Sequence, residues 1–156
     1  MNKMYMKKIF LALFLVSLAG FANAQIANPV TWSYVAKKVA DKTYELHMTA
    51  TIDGDWHLYA QDAGDGPEPT AFAFTMNPLI SFNGKIKEVG KQEKSYDKNF
   101  KSVIKYYTKK VTFVQNIKVK TPIATVVKGT VTFMVCNDRQ CLPPKDLPFT
   151  ISVGGK

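Results

Sequence analysis

Thr130-Val131-Thr132-Phe133-Met134-Val135-Cys136-Asn137-Asp138-Arg139-Gln140-Cys141-Leu142-Pro143-Pro144-Lys145-Asp146-Leu147-Pro148-Phe149-Thr150-Ile151-Ser152-Val153 contains both cysteines of the chain. Val131, Phe133 and Val135 recur at every second position before the sulfurs, and Phe149, Ile151 and Val153 do so after them. A period of two is the mark of a strand with one buried face. A strand therefore enters a tight cysteine-bearing turn and a second strand leaves it. Four polar residues separate the sulfurs, and Pro143-Pro144 follows them.

Moving outward, the same period recurs. Tyr44, Leu46, Met48, Ala50 and Ile52 share one face, with Glu45, His47, Thr49 and Thr51 on the other. Residues 30–39 read as a first strand, and Asp53-Gly54-Asp55 turns the chain into Trp56-His57-Leu58-Tyr59. A loop rich in glycine, proline and acids spans 61–70, and Phe72, Phe74 and Met76 resume a strand. Asn83-Gly84 reads as a hairpin turn between 79–82 and 86–89. Residues 90–105 show no period and read as a long loop. Val111, Phe113, Ile117 and Val119 alternate around the polar Gln115, which suggests a bulge in that strand. No helical period appears beyond the first residues. Seven to nine short strands predict an all-β fold, an antiparallel immunoglobulin-like β-sandwich.

The N-terminus carries a different signal. Lys3, Lys7 and Lys8 precede an apolar run over 9–20, too short to span a bilayer, and Ala22-Asn23-Ala24 offers small residues to a signal peptidase. Residues 1–24 are thus expected to be a cleaved signal peptide, leaving 25–156 as one exported domain. That domain is large enough to fold on its own core, and a bacterial periplasm is the expected location. No other stretch is long or apolar enough to insert in a membrane. The formal charge is +9, from 21 basic and 12 acidic residues. Removing a leader with three lysines and no acid lowers it to +6. The positive charge is scattered lysine, with Arg139 the single arginine. Nucleic-acid surfaces cluster their charge and favour arginine, so the lysines read as solvated faces and edge protection, with no nucleic-acid partner.

Three roles are open to the cysteines. A structural disulfide is the ordinary reading in an exported protein. A ring of six residues, however, gains only about 2 kcal/mol from chain entropy, less than a staple between distant segments. Redox exchange is the second role. The turn is polar, and Arg139 and Lys145 favour a thiolate while Asp138 opposes one. The prolines carry no N–H and leave an open edge. A zinc site built from Cys136, Cys141, His47 and His57 is the third, with a cysteine spacing unlike the common two-residue one.

Val135-Cys136, then Cys141-Leu142-Pro143-Pro144 and a strand, resembles the N-terminal periplasmic domain of the thiol:disulfide interchange protein DsbD. The stretch from Asp53 to Tyr59 and the aromatic strand Phe72–Phe74 are similar to that family as well, and the resemblance covers roughly 28–153. It implies an immunoglobulin-like domain that passes electrons through its cysteine pair to or from thioredoxin-like periplasmic or membrane-linked oxidoreductases. No cofactor beyond the redox-active disulfide is implied. By resemblance Cys141 forms the mixed disulfide and Cys136 resolves it. Asp97 to Phe100 matches the family's cap loop, with Phe100 as the shielding ring and with Lys98-Asn99 where the family has a fuller aromatic cap. Tyr59 and His57 are expected to line the same site, unless they are an ordinary edge pair. Because DsbD continues into a membrane domain and this sequence stops at Lys156, either the electron donor is expected to be a separate protein or the domain is recruited to another task. The alternative to exchange is a β-sandwich module that binds a protein or ligand through loop 60–70, with the disulfide as a hairpin staple.

Overall fold

The structure, a computed structural model, describes residues 28–98 and 100–155. The expected signal peptide, 1–24, lies outside these residues. Nine strands and no helix occur among them: β1 (Val30–Ala40), β2 (Thr43–Ile52), β3 (His57–Tyr59), β4 (Ala71–Phe74), β5 (Ile80–Asp97), β6 (Ser102–Val119), β7 (Thr125–Phe133), β8 (Val135–Cys136) and β9 (Lys145–Val153). All pairings are antiparallel. One sheet runs β1-β2-β6-β3-β8, with β5 on the other edge of β6; the second runs β4-β7-β9. Together they form an immunoglobulin-like β-sandwich, as expected.

The core lies where the alternation puts it. Leu46, Met48, Ala50, Leu58, Val111, Phe113 and Ile117 come from the first sheet, and Val127, Val131, Phe133, Phe149, Ile151 and Val153 from the second. Burying such side chains contributes about 1.5–3 kcal/mol each, the main term holding the sheets together.

The strand β6 organises the first sheet. Its Lys110–Lys118 stretch pairs with β2, and its Tyr106–Thr108 stretch with β3. Since β5 follows β6 from Ile80–Val119 to Asp97–Ser102, that edge is taken, and β2 and β3 share the other edge end to end.

Several expectations are corrected here. Asn83-Gly84 is not a hairpin turn: β5 runs through it with a register shift between Asn83 and Lys87. The buried Gln115 explains this, because its Nε2 donates to the carbonyls of Asn83 (3.1 Å) and Gly84 (3.4 Å) in the shifted stretch, and to that of Asn116 on its own strand (2.9 Å). The bulge expected at Gln115 therefore lies in the partner strand. Residues 90–105 are not a long loop but the far end of the β5–β6 hairpin. Paired on one edge and solvated over most of its surface, β5 needs no apolar alternation, so its sequence shows none. Its many lysines guard an open edge. Lastly, the strands around the cysteines are split between sheets. β7 pairs with β9 in the second sheet, whereas Val135–Cys136 crosses over to pair with β3 in the first. Met76, expected in the fourth strand, lies beyond it and is exposed.

Candidate functional site

The cysteine turn is built by its own backbone. Asn137 N–H donates to the Gln140 carbonyl (2.9 Å), and the Asn137 side-chain oxygen accepts from the N–H groups of Arg139 and Gln140 (both 3.0 Å). Such Asx turns are what asparagine at this position favours. Leu142 N–H then donates to Val135 (2.9 Å), and Cys136 and Cys141 face each other as an isolated bridge pair joined by a disulfide. The turn is thus held by these hydrogen bonds as well as by the disulfide.

The two sulfurs sit in different surroundings. Cys136 is 3% exposed, whereas Cys141 is exposed, and Pro143 and Pro144 beyond it are exposed too. The register explains the difference. Leu58, Val135 and Tyr107 point into the main core. Their neighbours along the strands therefore point to the sheet's outer face. There Cys136 joins Tyr59, Ala63 and Ile104 in a second cluster, with Phe100, Tyr106 and Met134 packed against it.

The tip of the β5–β6 hairpin closes this cluster. Phe100 N–H donates to Asp97 Oδ1 (3.1 Å), and Lys101 takes a positive φ of 53°, so the chain reverses tightly and directs the Phe100 ring back. That ring meets Tyr59 edge-on, with centroids 6.5 Å apart. Loop 61–70 supports it from behind. Ala60 and Ala63 exchange backbone hydrogen bonds with Lys105, Ser102 Oγ donates to the Asp65 carbonyl, and Lys105 contacts the Asp62 carboxylate. Gly66 lies directly against the Phe100 ring.

His57 stands opposite Cys136 in the β3–β8 ladder and opposite Thr108 on β6. Its ring packs on Tyr106 (4.7 Å between centroids) and edge-on to Tyr59 (5.2 Å), and Nε2 lies 3.3 Å from the Tyr59 hydroxyl. Burial pushes the imidazole below its usual range, against the opposing pull of Asp138, Asp97 and Glu93. The same burial, helped by Asp97 and Tyr106, raises the Tyr59 phenol to about 12, so it stays a neutral hydroxyl.

The structure brings Cys136, Cys141, Phe100, Asp97, Tyr59 and His57 to one place. His47 stands apart, 2.9 Å from Glu45 on β2, and among the described residues no group of His, Cys, Asp or Glu is arranged to hold a metal. Tyr106, Ile104, Met134 and Gly66 escaped the sequence reading. The first two fell in or beside a segment read as loop, and Gly66 carries no signal of what it touches. A largely apolar hollow of about 330 Å³ opens past the cysteine turn, lined by Pro29, Phe133, Val135, Leu142, Pro143 and Pro144, with Asn28 and Lys145 at its polar part.

Comparison with family models matches residues 24–152 to the N-terminal domain of the thiol:disulfide interchange protein DsbD. Comparison with curated proteins gave no match. Among solved structures, the chain is similar to the DsbD N-terminal domain of Neisseria meningitidis in its reduced form. That likeness has 18% identity and a TM-score of 0.56, over 87% of this chain and 96% of that one. It is similar also to the N-terminal periplasmic domain of ScsB from Proteus mirabilis (14%, TM-score 0.56, 84% of this chain and 49% of that one). A third likeness is to the complex between the DsbD and PilB N-terminal domains of Neisseria meningitidis (15%, TM-score 0.51, 81% and 87%). At these identities the structures speak to the fold.

Proposed function

Because this chain belongs to the family of DsbD N-terminal domains, we propose that it exchanges thiols and disulfides with thioredoxin-like partner proteins in the periplasm, through Cys136 and Cys141. One observation carries the reading: within a single short ring, Cys141 is exposed and Cys136 is buried in the cluster that Phe100 packs against. Exchange requires a sulfur that a partner can reach and a second one that leaves and returns. A partner thiolate attacks Cys141 Sγ, a bond forms between them, the Cys136–Cys141 bond breaks, and the electron pair remains on Cys136. In the reverse step Cys136 attacks the mixed disulfide at Cys141 and releases the partner thiolate. Phe100, set by Asp97, and Tyr59 pack around Cys136, the sulfur that leaves and returns, and the apolar hollow past Leu142 offers a seat for the partner chain. The pairing of a DsbD N-terminal domain with a PilB domain in a solved relative supports a protein partner of this kind. No metal or organic cofactor is needed, since the cysteine pair itself takes up two electrons as a disulfide and carries them as a dithiol.

The binding-module alternative is less well supported, because loop 61–70 is spent on holding Phe100 rather than standing free. A redox titration of the pair tests the proposal. An exchanging disulfide should have a potential above about −300 mV, and a value below that range marks a structural bridge.

A further inference from the structure

We propose that His57 holds the proton that the Cys136 sulfur gains and loses during exchange, a role that rests on the exchange reading above. The argument begins with register. His57 and Cys136 are directly opposite each other in an antiparallel pair. Side chains so placed share a face, with Cβ atoms roughly 4.5–5.5 Å apart. The imidazole is fixed on that face by Tyr106, by Tyr59 and by its contact with the Tyr59 hydroxyl. It is the one side chain of the cluster whose ordinary titration falls between about pH 5 and 8.

The charges around it come from each element it faces. Its own strand contributes the neutral Tyr59; β6 contributes Tyr106 and Thr108, the latter hydrogen-bonded to Glu93 (2.7 Å). Glu93 and Asp97 face it from β5, and Asp138 from the cysteine turn. All three carboxylates favour an imidazolium, yet burial outweighs them while the disulfide is intact. Opening the disulfide leaves a negative charge on Cys136 Sγ in the same covered place. This fourth negative charge favours the imidazolium at the moment the electron pair arrives. His57 then takes a proton from solvent and passes it to Cys136, or holds it beside the thiolate. On the return step the Cys136 thiol gives its proton to His57, the thiolate attacks Cys141, and His57 returns the proton to solvent. Atoms and charge balance with a partner thiol as the only co-reactant. A leaving thiol whose effective pKa is lowered departs faster, so the protonated histidine accelerates opening.

The test uses the oxidised mature chain and dithiothreitol between pH 5.5 and 8.5, with each rate divided by the reductant's thiolate concentration. For the wild type this corrected rate should rise as pH falls through the histidine range. The ratio of wild type to His57→Phe should be about tenfold at pH 5.5 and approach one at pH 8.5. A ratio that is constant with pH means that His57 only packs, and overturns the proposal. Should His57→Phe fail to fold, the wild-type profile decides alone, since a flat corrected rate overturns it equally. A disulfide that resists reduction at every pH removes the exchange reading and this role together. Ready reduction with a pH-independent ratio removes only this role.

Discussion

Gly66→Ala should loosen the cover over Cys136 without touching a sulfur. A Cβ at this position would lie 2.7 Å from Phe100 Cγ and 2.8 Å from Phe100 Cβ, and the backbone φ of +121° suits glycine alone. The backbone strain is on the order of 1–3 kcal/mol, and the ring has to give by about an ångström to restore ordinary packing. Full burial of a phenylalanine is worth about 1.5–3 kcal/mol, so the half-buried Phe100 contributes about 1 kcal/mol to keeping the cap closed. If departure of the buried Cys136 sulfur waits for that ring to swing away, losing 1 kcal/mol raises the open fraction, and with it the reduction rate, by about fivefold. Phe100→Ala should give a similar rise. In the double variant the two effects should not multiply, because Gly66 acts through the ring. The assay is the rate of disulfide reduction by glutathione, followed by alkylation and gel shift. Wild-type rates in both single variants would refute shielding by Phe100. Multiplying effects would refute the contact between loop and ring as its support.

Other consequences are as direct. Reducing the disulfide should cost about 2 kcal/mol from a six-residue ring, roughly 7 °C in Tm for a domain of this size, because the Asn137 bonds keep the turn in shape; unfolding at ambient temperature on reduction would show a staple. Gln115→Leu strands the Asn83 and Asn116 carbonyls and should lower stability by about 1–3 kcal/mol in urea titration at unchanged slope. The pH dependence of stability follows from His57, whose folded pKa burial lowers below the ordinary histidine value of 6.5. The unfolded chain then binds the extra proton first, so this contribution is present above about pH 6.5 and is lost as pH falls through the folded pKa. Denaturant midpoints of the wild type should drop over that window, and those of His57→Phe should drop less.

How much of this was legible in the sequence varied with burial. Wherever a strand has one face in the core, as at Tyr44–Ile52 or Phe149–Val153, the period of two gave the strand and its inward side. The period vanishes where burial does. The outer half of the β5–β6 hairpin is held by its backbone ladder and looks like a loop in side-chain pattern. The sheet switch at Met134 is equally silent, because Val131, Phe133 and Val135 face the same core from two different sheets. At the site, the cysteine spacing and the likeness of Asp97–Phe100 to a cap loop pointed to residues that the fold brings near one another. Long-range register, which no local pattern encodes, sets Tyr106 beside His57 and Gly66 under Phe100.

The most direct measurement of exchange is covalent trapping by single-cysteine variants. With Cys136 removed, the exposed Cys141 has no neighbour to release a bound partner, so Cys136→Ser should accumulate a long-lived mixed disulfide with a thioredoxin-like protein, visible on a non-reducing gel. Cys141→Ser leaves only the covered Cys136 and should trap little. Equal trapping by the two variants would contradict the assigned roles. No adduct from either variant, with a purified thioredoxin-like partner in its disulfide form present, would contradict the exchange function itself.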